Sequence, residues 1–90
     1  MRFAALERFL PGLTEADLRL DLESLLRAAR EVGVRPVEVD VDRESGRAVG
    51  LFVASGPEHV RAAHERAGVA CDEVLEVERW WADLVVPHRT

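Results

Sequence analysis

From Arg2 to Leu10 the chain is mostly apolar on both alternating sets of positions, Phe3, Ala5 and Phe9 on one and Ala4, Leu6 and Leu10 on the other. Successive side chains of a strand point to opposite faces, so this run predicts a strand in the middle of a sheet. Pro11-Gly12 breaks it. Thr14, followed by Glu15 and Asp17, supplies a capping hydroxyl and first-turn acids, the signature of a helix start. Leu18, Leu22, Leu25, Leu26 and Ala29 then recur at helical spacing and form one stripe, with Arg19, Asp21, Glu23, Arg27 and Arg30 pointing away. This first helix is expected to run to about Glu31 and to end at Gly33.

Val37, Val39 and Val41 alternate with Glu38, Asp40 and Asp42, the pattern of an edge strand with one buried and one wet face. Arg43-Glu44-Ser45-Gly46 turns the chain, and Arg47 to Ala54 is again apolar on both sets, predicting a second central strand. Ser55-Gly56-Pro57-Glu58 combines a capping hydroxyl, a proline and an acid, and opens a shorter helix with Val60, Ala63 and Ala67 inward, ending at Gly68. Leu75 and Val77 alternate with Glu76 and Glu78, predicting a last edge strand over Glu73 to Arg79. Trp80, Trp81, Leu84, Val85 and Val86 form an apolar tail.

The order strand, helix, strand, strand, helix, strand, joined by right-handed crossovers, interleaves two βαβ units into a four-stranded antiparallel sheet. The expected fold is therefore a ferredoxin-like α+β sandwich over residues 1–79, with residues 80–90 as a tail. Its central strands are the first and third, the two that are apolar on both faces. Two helices cover one face only, so the other must meet a partner, a ligand or the tail. A homodimer joined sheet to sheet, of the dimeric α+β barrel type, is the simplest answer. Leu6, Phe52, Trp80 and Trp81 are its expected interface residues, with a lid over the monomer's own core as the alternative role for the two tryptophans.

Composition narrows the classes. The chain is 48 % hydrophobic and 32 % charged, with both signs interleaved, as in ordinary globular domains. A net charge of -5 and the lack of a basic stripe argue against nucleic-acid binding. The first charge comes at Arg2 and the next at Glu7, too soon for a secretory core or a membrane span, which places the protein in the cytoplasm. Cys71 is the single cysteine and excludes an internal disulfide. Asp40, Asp42 and Glu44 begin like a calcium loop, but the glycine falls one place late and no bidentate acid follows, so they read as the wet side of an edge strand.

Of the three histidines, His59 and His64 lie five apart, about 140° around a helix, and do not share an ion easily. His64 borders the inner stripe; His59 is expected in solvent, and so is His88 near the end.

Two stretches carry a resemblance: Leu6-Glu7-Arg8-Phe9-Leu10-Pro11-Gly12-Leu13-Thr14, and Glu44-Ser45-Gly46 through His64-Glu65-Arg66-Ala67-Gly68 to Asp72-Glu73-Val74. They resemble small bacterial ferredoxin-like proteins described as nickel-binding or as a domain of unknown function. The resemblance implies a homodimer and a metal site near His64. Where such proteins carry further histidines, this chain has Glu7 with Arg8, Arg35 with Glu38, and Val69. The implied donors are His64, Glu7 and Glu38, a set better suited to a harder divalent ion than to nickel.

Three functions follow as expectations. The first is a dimeric binding or sensing module holding a metal or small ligand near His64. The second is an assembly domain, and the third a cofactor-independent enzyme in which His64 acts as base and Glu7 orients it.

Overall fold

The computed structural model describes residues 1–85; Val86 and His88, considered above, lie outside them. The elements are β1 (Arg2–Arg8), α1 (Glu15–Glu31), β2 (Arg35–Val41), β3 (Arg47–Val53), α2 (Pro57–Ala67), β4 (Ala70–Glu76) and a short α3 (Ala82–Val85). All strand pairings are antiparallel and the order across the sheet is β2-β3-β1-β4. The chain thus has the ferredoxin-like α+β fold, with β1 and β3 in the centre as their patterning required.

Helices α1 and α2 pack on one face of the sheet. Phe3 and Ala5 of β1, Phe52 of β3 and Val74 of β4 meet Leu25 and Ala29 of α1 and Val60 and Ala63 of α2 in the main core. A smaller cluster of Phe9, Leu18 and Ala48, with Val39 and Val41 against it, closes the other end. Thr14 caps α1 as expected, its Oγ1 accepting from Asp17 N–H at 3.2 Å. The opposite face holds Leu6, Leu51 and Val53, each half-buried, beside Val49 and Leu75, 39 % and 42 % exposed.

Three local expectations are corrected. The cap of α2 is Gly56, without a side-chain bond, and Pro57 takes the first helical position, so the Ser55 hydroxyl is not used. Strand β4 begins three residues earlier than Glu73, because Gly68 turns the chain in the left-handed conformation and Val69 N–H bonds His64 O directly afterwards. Between Leu6 and Glu7 the β1–β4 register shifts: Leu6 faces Glu73 and Glu7 faces Cys71, leaving Asp72 extra. The bulge puts Cys71 on the same face as Glu7; beyond it the alternation is regular, with Val74 into the core beside Ala5 and Leu75 outward, the reverse of the faces expected.

Among the described residues no helix is long and apolar enough to cross a membrane.

Candidate functional site

Under the helices lies a polar pair in an otherwise apolar core. Glu7 is on the same side of β1 as Phe3 and Ala5; His64 is one turn beyond Val60 on α2. Their side chains are 0 % and 1 % exposed, and His64 Nε2 lies 2.5 Å from Glu7 Oε2. The other ring nitrogen, Nδ1, is 2.7 Å from Val60 O. The Phe52 ring meets the imidazole edge-on at 5.4 Å, fixing its plane.

The partners determine where hydrogens sit. A carbonyl oxygen only accepts, so Nδ1 carries a hydrogen and donates to Val60 O. The Nε2–Oε2 contact then has room for one proton, and the pair is either imidazolium with carboxylate or imidazole with carboxylic acid. Its net charge is zero in both forms. That neutrality is what lets two ionisable groups occupy a dry core, where an isolated charge would cost several kcal/mol or more. One defect remains: Glu7 Oε1 is buried without a hydrogen-bond partner among the described residues. An orphaned acceptor of this kind costs roughly 1–3 kcal/mol.

Gly50 of β3 makes the space for the carboxylate. A Cβ there would stand 2.8 and 2.9 Å from the two Glu7 oxygens and 2.6 Å from Phe52 Cε2. The glycine within an apolar strand is therefore a requirement of the pair.

Cys71, across from Glu7 on β4, is half-buried, and its Sγ–H reaches Glu73 O at 3.6 Å. Burial, with the nearby Glu7 charge adding to it, pushes the thiol above its ordinary range. The thiolate therefore appears only at higher pH than in an unfolded chain. Alkylation of native protein by iodoacetamide at pH 8 should be slower than of urea-unfolded protein, and the gap should narrow as pH rises. Equal rates at pH 8 would refute the shielding.

On the outer face, a groove of about 520 Å³ runs over the β1–β3 end of the sheet, with Leu6 and Val49 as apolar floor and Arg8, Asp40 and Arg47 on its rim. The Arg8 guanidinium holds Asp72 through Nε and Nη2 at 2.8 Å. These hydrogen bonds keep the exposed Asp72 carboxyl below its usual range.

Of the three expected donors, Glu7 and His64 are brought together. Glu38 is not: it is exposed on edge strand β2, with β3 between it and β1. Among the described residues no three His, Cys, Asp or Glu side chains are placed to share a metal ion. With both ring nitrogens of His64 engaged, the pair does not fit a site built for nickel or a similar ion. His59 stands half-exposed, 3.5 Å from Glu58. Phe52, expected at the interface, is instead 1 % exposed on the helix side, while Leu6 does face outward and Trp80 and Trp81 are 70 % and 57 % exposed. The tryptophans therefore do not lid their own core. The enzyme expectation required a cavity beside His64; the outer groove and four further clefts among the described residues are lined by other residues.

Fold and site together define a ferredoxin-like α+β domain with a buried Glu–His pair and one sheet face that, among the described residues, no helix covers. No protein-family model and no curated protein matches the chain. Among solved structures it is similar to the protein SCO4226 of Streptomyces coelicolor A3(2), known from a crystal structure analysis. The TM-score is 0.79 at 27 % sequence identity, over 90 % of this chain and 100 % of that one.

Proposed function

We propose that the chain is a homodimeric binding module of the cytoplasm that associates through the uncovered face of its sheet. The observation that supports this best is the face itself: Leu6, Val49, Leu51, Val53 and Leu75 form one apolar surface on the side away from both helices. Burying it is favourable by roughly 25 cal/mol per Å² of apolar area. The Glu7–His64 pair, in this reading, holds α2 against β1 and stiffens the sheet behind the interface.

A second reading has a specific observation in its favour. Glu7 Oε1 is an acceptor without a donor, and a small hydrogen-bond donor or cation admitted there would satisfy it. The implied metal enters only at this point, as a single cation on a carboxylate and not as a nickel centre with several imidazoles.

One experiment separates the readings: the mass of the untagged protein in solution, with metal analysis after dialysis against nickel, zinc and cobalt. A dimer free of metal supports assembly. Stoichiometric metal, lost in His64→Ala protein that is still folded by circular dichroism, supports the second reading. A monomer at micromolar concentration overturns the first.

A further inference from the structure

The tail leaves the sheet at one end, and the outer groove lies at the other. Strand β4 begins beside Arg8 and finishes beside Phe3, and Val77 N–H bonds Arg2 O at 3.0 Å, so the chain departs from the Phe3 end. The groove is at the Arg8 end, over Leu6 and Val49 and beside Arg47. Two sheets stacked face to face around a two-fold axis across their strands lay opposite ends over each other. Each tail then comes to the partner's groove. We infer that Trp80 and Trp81 of each copy seat in the outer groove of the second copy, a claim that rests on the homodimer proposed above.

Area argues the same way. Four strands of seven residues cover a flat face of about 19 by 23 Å, or about 440 Å². A stable dimer needs about 800 Å² from each partner. The sheet face alone falls short, and a large indole bears about 150–250 Å² of surface. The tail holds two of them, both exposed on their own protomer. Its polar groups suit the groove as well. The Arg79 guanidinium stacks on Trp81 at 4.6 Å, and Trp80 Nε1–H donates to Glu78 at 3.0 Å. A cation with an aromatic face thus approaches a rim carrying Asp40, Asp42 and Asp72 against Arg8 and Arg47.

The test uses the tryptophans as their own reporters, since the chain has only these two and no tyrosine. In full-length protein, emission should be shifted to the blue at concentrations where the mass is dimeric, and should move to the red as dilution yields monomer. Trp80→Ala with Trp81→Ala should weaken the dimer by about thirtyfold or more, the hot-spot threshold converted to affinity. In a Cys71→Ser background, Trp81→Cys on one chain and Val49→Cys on a second, mass-tagged chain should form a mixed disulfide on oxidation. A dimer with solvated-indole emission and unchanged affinity in the double variant overturns the inference and leaves the dimer standing. Blue emission independent of dilution, with no mixed disulfide but a disulfide within monomeric protein that carries both cysteines on one chain, overturns it in favour of a fold-back. A monomeric wild type fails the homodimer proposal and this inference together.

Discussion

Replacing His64 by alanine is expected to destabilise the domain by about 3–5 kcal/mol, the cost of removing one partner from a buried pair. The variant leaves the Glu7 carboxyl, 0 % exposed, without its donor and opens a cavity beside Phe52. For a domain of this size the melting temperature should fall by roughly 15–30 °C at fixed protein concentration. Removing both polar groups tests the cause. Glu7→Leu with His64→Leu should recover most of the loss, because no charge is then stranded, and a well-packed apolar substitute for a buried ion pair is often neutral or stabilising. Urea unfolding followed by circular dichroism checks both variants. If His64→Ala cost less than about 1 kcal/mol, or the double variant were no better than the single, the pair would not be the coupled unit described.

Much of the pair was legible in β1. Period-two alternation places Glu7 on the face of Phe3 and Ala5, and a carboxylate between core residues asks for a partner. On α2, His64 follows Val60 by four residues and falls on its stripe. That these positions meet was expected from the resemblance and not from spacing, since Glu7 and His64 are 57 residues apart and the contact depends on how α2 lies across β1 and β4. Gly50 was equally silent. A glycine in an apolar strand signals close approach, but not of which group. Glu38 failed as a donor for a plain reason: it belongs to the charged set of β2, which faces water.

The central strands were readable because both their faces are covered or apolar, so every residue contributes to the signal. Strand β4 was not. The contrast of Leu75 and Val77 with Glu76 and Glu78 conceals Val74, which faces Ala5 and fills the core, and the extra residue at Asp72 interrupts the alternation ahead of it. The two tryptophans show the opposite case, in which composition is informative and placement is not. An apolar tail on a small domain equally predicts a lid or an interface. Their exposure on the folded chain speaks against the lid.

Gly46→Ala is expected to cost about 3 kcal/mol or more, although the position is far from the buried pair. Gly46 ends the β2–β3 turn at φ +81°, where an alanine pays about 1–2 kcal/mol in backbone strain. Strain is the smaller part. A Cβ would stand 2.2 Å from Phe9 O and 3.1 Å from Phe9 C, main-chain atoms that cannot rotate away. Relief requires lifting the turn from the segment after β1, and that segment is tied to it by Phe9 N–H to Gly46 O at 2.7 Å and Gly12 N–H to Arg43 O at 2.8 Å. Each bond lost costs about 1 kcal/mol. Lifting also uncovers Phe9, which closes the smaller core cluster with Leu18 and Ala48. Gly68→Ala is the control: φ is +70° there, but a Cβ meets nothing within 4 Å, so only the strain of about 1–2 kcal/mol should appear. Denaturant midpoints of the two variants measured side by side decide the matter. Equal losses would mean that the turn separates from Phe9 without cost and that its docking contributes nothing to stability.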